Sequence, residues 1–256
     1  MRLLERVNAH LTRRVPTKVL PSRLSRSVVS ITFDDFPKSS WQVGGPILAR
    51  HNAPATFFVA GSLCGTSSLG LRYFDRTDLV EVNRAGHEIG THTFRHHHAR
   101  RVSSGELVAD IEQNEEFIRS CVGDVVPETF AYPFGETSIR TKMLFSRRFA
   151  CCRGTEPGVN RKSLDLGQLK TSSLESFQWN DQALERLIGR ASLDPCWIIF
   201  VTHDIDDNPT PHGSTPWMLE TALAKTRAAG LDILTVKNAM ALACYGEAVA
   251  VPNRTA

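Results

Sequence analysis

The feature that most constrains the fold is the alternation of short apolar runs with segments of helical pattern. Apolar runs rich in β-branched and aromatic residues predict strands at 27–33, 55–60, 88–90, 129–132, 149–152, 197–202 and 232–236. Helical patterns lie near 42–51, 77–84, 103–120, 137–146, 181–191 and 215–229. Repeated strand and helix units favour a mostly parallel sheet covered by helices, either closed as a barrel or open and doubly wound.

Length and composition fit one soluble globular domain. The chain has 256 residues, of which 41% are hydrophobic and 22% charged, and this argues against disordered, collagen-like and coiled-coil proteins. A single α/β barrel commonly has this size. The net charge of +3 is too balanced to indicate nucleic-acid binding.

The cysteines and the N-terminus bear on location. Six cysteines include no C-x-x-C pair, and we predict that they are reduced thiols. No apolar stretch is long enough for a transmembrane helix, and no signal-peptide core follows Met1. We therefore expect a cytoplasmic protein.

We predict that residues 1–26 are a basic amphipathic segment ahead of the main domain at 27–256. Apolar residues fall at helical spacing at Leu3, Leu4, Val7 and Leu11. Such a helix docks on the surface of its own domain or lies on an anionic membrane, and docking is the commoner outcome. Peripheral contact of residues 1–24 with the inner face of the membrane is the alternative.

Polar residues gather directly after four of the predicted strands. They are Asp34-Asp35, His92-Thr93-Phe94-Arg95-His96, Tyr132-Pro133-Phe134-Gly135 and Thr202-His203-Asp204. In parallel α/β folds the carboxyl ends of the strands meet at one edge and carry the chemistry. We expect these four groups to share one site, bordered by the loop with Asn208-Pro209, Pro211 and Gly213.

The two histidines of the second group suggest a metal site. His92 and His96 are four residues apart, which on a helical turn places both imidazoles on one face. One aspartate of the Asp34-Asp35 pair would complete the ligand set, and the other would face water or substrate. The alternative, a solvated basic turn, does not explain why all four groups follow strands. His203 stands at a strand end, a position that favours catalysis over a core role.

Together these motifs resemble the polysaccharide deacetylase family, carbohydrate esterase family 4, whose shared catalytic region is the NodB homology domain. Thr32-Phe33-Asp34-Asp35 matches T-F-D-D, and His92 to His96 matches H-[ST]-x-x-H. Pro133-Phe134-Gly135 matches the end of R-x-P-[FY]-G, and Thr202-His203-Asp204 resembles the motif with the last catalytic histidine. Order and spacing agree over roughly residues 27–240.

The resemblance implies a distorted (β/α) barrel of about seven parallel strands with outer helices. It implies one divalent ion, usually zinc, held by Asp35, His92 and His96. Asp34 would then be the base that takes a proton from the metal-bound water, and His203 the acid that protonates the leaving amine. The backbone N–H of Phe134 would help to hold the oxyanion.

The chain departs from the family pattern at three places, which indicates a divergent branch. Ala131 stands where the third motif begins with arginine, and Arg153 is by its position a candidate to orient Asp34. Phe36 replaces the usual glycine and would put a ring beside the carboxylates; with Tyr132 it is a candidate for substrate contact or orientation. The D-x-x-D-W motif has no clear match, and the candidates are Asp165 and Asp181.

These observations predict a metal-dependent hydrolase that removes an N-acetyl or other N-acyl group from an amino sugar of an oligosaccharide, polysaccharide or lipid-linked glycan precursor. Alternatives are an O-acetyl esterase acting on a glycan such as xylan, a hydrolase of non-sugar amides, and a catalytically inactive glycan-binding relative. Two histidines and one aspartate also describe a non-haem Fe(II) oxygenase, which would require an all-β fold.

Overall fold

The computed structural model describes residues 15–68 and 70–246. Strands in this part of the chain are β1 (Val19–Pro21), β2 (Val28–Asp34), β3 (Ala55–Val59), β4 (Ser67–Ser68), β5 (Leu71–Arg72), β6 (Glu88–Thr91), β7 (Thr129–Ala131), β8 (Cys151–Pro157), β9 (Ser163–Asp165), β10 (Leu169–Ser173), β11 (Trp197–Thr202) and β12 (Asp232–Ile233). Seven of them, β2, β3, β6, β7, β8, β10 and β11, form a parallel sheet that closes through the pairing of β11 with β2. The predicted barrel of about seven strands is confirmed.

Helices surround this barrel. They are Lys38–Gln42, Gly44–Arg50, Arg76–Arg84, Ser104–Val122, Ile139–Arg148, Asp181–Ala191, Pro216–Ala228 and Val236–Tyr245, with short 3-10 turns at Gly61–Leu63, Pro133–Gly135 and Ser176–Gln178. A capping box begins the helix Ser104–Val122, since the Ser103 side chain accepts from the Glu106 N–H and Glu106 accepts from the Ser103 N–H. The buried face of this helix includes Leu107 and Ile111.

Strand β2 is central to the barrel, and all seven of its residues are buried. It pairs with β11 on one side and with β3 on the other, while β12 pairs with its first two residues. Thr32 Oγ1 donates to the Phe200 carbonyl at 2.7 Å, and Ser30 Oγ accepts from Trp197 Nε1 at 3.0 Å. The polar side chains of this apolar strand are therefore satisfied, and its carboxyl end delivers Asp34 to the edge of the barrel.

The structure corrects three predicted elements. Strand β10 was missed because its sequence, L-K-T-S-S, contains no apolar run, and β8 continues five residues past the predicted end at 152. The strand predicted at 232–236 ends at Ile233, and Val236 begins a helix capped by Thr235, whose side chain accepts from the Asn238 N–H. Pairing with β8 and β11 makes β10 a strand despite its polar sequence.

Residues 15–26 pack against the amino-terminal end of the barrel. Strand β1 pairs antiparallel with β9, and Lys18 Nζ donates to the carbonyls of Phe149 and Ala150, both at 2.9 Å. The apolar residues Leu3, Leu4, Val7 and Leu11 lie outside the described residues. All six cysteines are unpaired, and no helix in the described part of the chain has the length and apolarity to cross a bilayer.

Candidate active site

One cavity of about 840 Å³ opens at the carboxyl ends of the barrel strands. Asp34, Asp35, His92, His96 and His203 all line it, as the sequence predicts. Its volume lies within the range of small-molecule sites, about 300 to 1,000 Å³. The parallel barrel that surrounds it excludes the all-β fold required by the oxygenase alternative.

A strained turn after β2 presents Asp35 to this cavity. Asp35 and Phe36 have positive φ angles of 61° and 55°, a conformation that costs free energy in residues other than glycine. The Phe36 ring is fully buried and contacts the rings of Phe74 and Phe57, with centroids 4.9 and 4.8 Å away. Phe36 therefore anchors the turn from the core side. Of the two roles predicted for it, its buried ring excludes substrate contact and leaves orientation of the turn.

His92 and His96 converge through an irregular turn and not through the helical turn that the spacing suggested. Thr93 and His96 have φ angles of 61° and 52°. The turn is held by Asp110, which is 1% exposed and accepts from the N–H of Phe94 at 2.6 Å. Sequence reasoning missed Asp110; its position among the buried residues of an amphipathic helix was the available signal.

The geometry of the three predicted ligands fits a cation. Their ligand atoms lie within 4.8 Å of one another, and Nε2 of His92 and of His96 are 3.5 and 3.1 Å from Asp35 Oδ1. His92 Nδ1 faces the carbonyl of Ala131 at 2.8 Å and must donate there, so Nε2 of the neutral ring carries a lone pair. Asp35 Oδ1 is buried and has no hydrogen-bond donor among the described residues. Acceptors that face one another in this way are stabilised by a shared metal ion.

Both histidines are in the protonation state that binds metal. Burial lowers the pKa of His92, and burial together with the neighbouring His92 lowers the pKa of His96 to about 4. Each imidazole is therefore neutral near pH 7 and offers a lone pair.

Asp34 is buried beside this group and remains ionised. Burial raises its pKa, but the guanidinium charge and hydrogen bond of Arg153 outweigh burial and, with smaller electrostatic contributions from His92 and His203, lower the pKa to about 2. Arg153 Nη2 donates to Asp34 Oδ1, which confirms the predicted position of Arg153 next to Asp34. The Arg153 guanidinium also lies over the Phe58 ring, 4.9 Å from its centroid.

His203 is supported through His212 by Glu175, a residue that sequence reasoning missed. Its Nδ1 lies 3.2 Å from the carbonyl of His212, and the His212 ring is held by Glu175, with 2.7 Å between Nδ1 and Oε1. Asp165 and Asp181 lie elsewhere: Asp165 pairs with Lys142, and Asp181 begins an exterior helix. Glu175 follows β10 in the sequence. Because the sequence pattern does not predict β10, it also does not place Glu175 at the end of a strand.

The loop after His203 is folded by Asp204. This aspartate is 1% exposed and accepts from the N–H and the hydroxyl of Thr210, at 2.9 and 2.5 Å. The loop borders the cavity through Pro211, as predicted, and also through Thr210 and His212.

Two aromatic residues of the third motif have different roles. Tyr132 is fully buried, and its hydroxyl donates to the Gly167 carbonyl at 3.0 Å, so the prediction of substrate contact is wrong for this residue. Phe134 has a φ of 58°, lies on the cavity wall with 54% of its surface exposed, and stacks on His98 at 3.8 Å.

The chain is similar to proteins of known name. Residues 22–147 match the family model described as polysaccharide deacetylase. A peptidoglycan-N-acetylglucosamine deacetylase of Bacillus cereus is 31% identical over 122 residues, which are 46% of this chain and 41% of that protein. A protein of the same name from Listeria monocytogenes is 24% identical over 239 residues, 93% of this chain and 43% of that protein. The chain thus spans less than half the length of these curated relatives.

Solved structures share the fold. A carbohydrate esterase family 4 pseudoenzyme from Bacillus anthracis superposes with a TM-score of 0.60 at 18% identity, covering 88% of this chain and 69% of that one. The motifs, the barrel and the matched segment agree, and the predicted resemblance is confirmed. Over residues 22–147 the chain is therefore similar to the polysaccharide deacetylase family.

Proposed function

We propose that this protein is a divalent-metal-dependent hydrolase that removes the N-acetyl group from an amino sugar of a glycan. The observation that carries the proposal is the convergence of an ionised carboxylate, three acceptor groups and a histidine on one cavity. The name of the Bacillus cereus relative supports the same class of substrate.

Asp35, His92 and His96 would hold the ion, and two imidazoles with one carboxylate suit zinc. When bound, a divalent ion supplies Lewis-acid polarisation to an acyl carbonyl and to a water molecule. The protein supplies the remaining parts of the chemistry.

Asp34 is the group that accepts a proton from the attacking water. It lines the cavity and is ionised at neutral pH, because the Arg153 guanidinium outweighs burial and the pKa of Asp34 is about 2. The backbone N–H of Phe134, on the same cavity wall, is the proposed donor to the oxyanion that forms.

His203 delivers a proton to the leaving amine. Its Nδ1 faces the His212 carbonyl, so the proton exchanges with substrate at Nε2. An amine is a poor leaving group unless it is protonated, and amide hydrolysis therefore needs this acid.

The walls of the cavity suit a sugar. Exposed rings of Phe134 and Phe177, 54% and 55% exposed, border it and offer flat apolar faces to the C–H faces of a pyranose. Side chains of Ser172, Ser173 and Gln178 add hydrogen-bonding groups for hydroxyls. An apolar wall with a few polar groups is the usual composition of such sites.

The test is acetate release from a panel of N-acetylated glycans, O-acetylated xylan and acetylated non-sugar amides, with metal-depleted protein as a control. Asp34→Asn should keep its zinc while turnover falls by roughly 10² to 10⁴, the usual contribution of a positioned general base. Asp124→Asn changes an exposed aspartate far from the cavity and is the matched control.

Each alternative has its own result. Release from xylan alone would identify an esterase, and release from non-sugar amides alone would identify a different amidohydrolase. Glycan binding without release from any substrate would identify an inactive relative and would overturn the proposal.

A further inference from the structure

The buried carboxylate of Asp34 requires a cation. Its residue is 4% exposed, and an ionised carboxylate removed from water without a partner is strongly destabilising. The position from which the family motif would supply an arginine holds Ala131, whose side chain carries no charge.

The sheet register shows where the charge comes from. Ala131 on β7 and Arg153 on β8 are direct partners in the parallel ladder. Partners in adjacent strands point to the same face of a sheet, and the strands lie about 4.8 Å apart. The Arg153 side chain therefore leaves the barrel wall at the same height as a side chain at position 131, but from the neighbouring strand.

The surroundings hold the Arg153 guanidinium in one place. Arg153 is fully buried, its Nη1 donates to the Gly154 carbonyl at 3.1 Å, and its Nη2 donates to Asp34. The Phe58 ring beneath it fits because residue 90 is glycine: a Cβ there would lie 2.5 Å from that ring. Phe58, Gly90 and Gly154 thus form a support for an arginine that starts from β8.

We propose that Arg153 is a positioning residue that performs from β8 the role for which the family motif uses an arginine on β7. It fixes the orientation of the Asp34 carboxylate and keeps this carboxylate turned away from the ligand cluster of Asp35. The catalytic consequence rests on the proposed function, whereas the ion pair and its register do not.

The decisive experiment moves the arginine from β8 to β7. In zinc-loaded protein, Arg153→Ala should lower kcat by roughly 10- to 100-fold, the usual effect of losing a group that orients the reacting residues, with KM and zinc affinity unchanged. The double variant Arg153→Ala with Ala131→Arg should recover at least about tenfold of this loss. Arg161→Ala, which removes an exposed arginine, is the matched control and should keep full activity.

A merely structural arginine would give other results. Wild-type kcat in Arg153→Ala would overturn the proposal, and so would a double variant that melts at the wild-type Tm yet stays at the kcat of Arg153→Ala. If Arg153→Ala does not fold, Arg153→Lys keeps the positive charge but loses the planar guanidinium and its paired N–H donors. Its kcat should still fall with KM unchanged.

A readout without substrate separates this proposal from the proposed function. Arg153→Ala leaves Asp34 buried and unpaired, so adding Asp34→Asn should raise the Tm of that variant although each change alone lowers it. If wild-type protein releases no acetate, the proposed function fails, and this cycle still tests the ion pair. Additive shifts in Tm would overturn the role of Arg153.

Discussion

Each end of the barrel buries a charged pair, and the polar groups around the two pairs differ in how completely they are satisfied. At the amino-terminal end, the fully buried Lys142 donates to Asp165 at 2.9 Å and to the Val15 carbonyl at 2.6 Å. At the carboxyl end, Arg153 pairs with Asp34 beside the cavity.

One carboxylate oxygen at each end of the barrel shows the difference. Asp165 Oδ1 accepts from three backbone N–H groups, those of Thr17, Lys18 and Gly167, at 3.1 to 3.2 Å. Asp35 Oδ1 has no donor in the described part of the chain and is faced by two histidine nitrogens. Buried polar atoms in native proteins are nearly always satisfied. The saturated cluster of Asp165 and Lys142 therefore indicates a structural role, and the unsatisfied cluster of Asp35, His92 and His96, in which an oxygen without a donor faces two ring nitrogens, indicates a ligand site.

The largest effect is expected where the unsatisfied cluster is broken. Asp35→Ala removes one of three ligands and should lower zinc affinity by more than about 100-fold, because loss of a residue that only supports a ligand already costs 10- to 100-fold. Turnover should fall to background. Isothermal titration with zinc measures the affinity, and wild-type affinity in this variant would show that the three side chains do not share an ion.

His203→Ala should distinguish two classes of substrate at the same end of the barrel. Amide hydrolysis should slow by roughly 10² to 10⁴, because the departing amine must be protonated. An activated aryl ester has a good leaving group and should lose much less. Steady-state rates with an N-acetyl sugar and an aryl acetate provide the measurement, and equal losses on both would make His203 a structural residue.

Breaking the saturated cluster should affect stability and not chemistry. Lys142→Met leaves Asp165 without its cation and should lower the free energy of unfolding by about 3 kcal/mol, as for other buried pairs that lose one partner. Urea unfolding measures this loss, and kcat of the remaining folded protein should equal that of wild type. A lower kcat at full folding would mean that the two ends of the barrel are coupled.

The smallest effect at neutral pH concerns His87, a partly buried histidine whose Nδ1 accepts a hydrogen bond from the Ala55 N–H at 3.0 Å. Burial lowers the pKa of His87 to about 4 from an ordinary 6.5. As the pH falls, His87 is therefore protonated in the unfolded chain before it is protonated in the folded protein. Its effect lowers the free energy of unfolding between pH 6.5 and pH 4, by up to about 3 kcal/mol. His87→Gln should reduce the slope of stability against pH between these values, and an unchanged slope would contradict this assignment.

Local sequence patterns determined most of the fold and the reacting groups. Apolar runs located six of the seven barrel strands, because a strand buried on both faces must be apolar in its own sequence. The polar residues directly after those runs included all three ligand candidates, Asp34 and His203, since their places at strand ends follow from the chain order alone.

Tertiary structure alone decided the groups that support them. Strand β10 exists because β8 and β11 pair with it, and it carries Glu175 to the loop of His203. That Arg153 rests on Phe58 and reaches Asp34 depends on the register of neighbouring strands. A short sequence motif is enough to identify a reacting group. The orientation of its side chain is set by residues distant in sequence that closure of the barrel brings together.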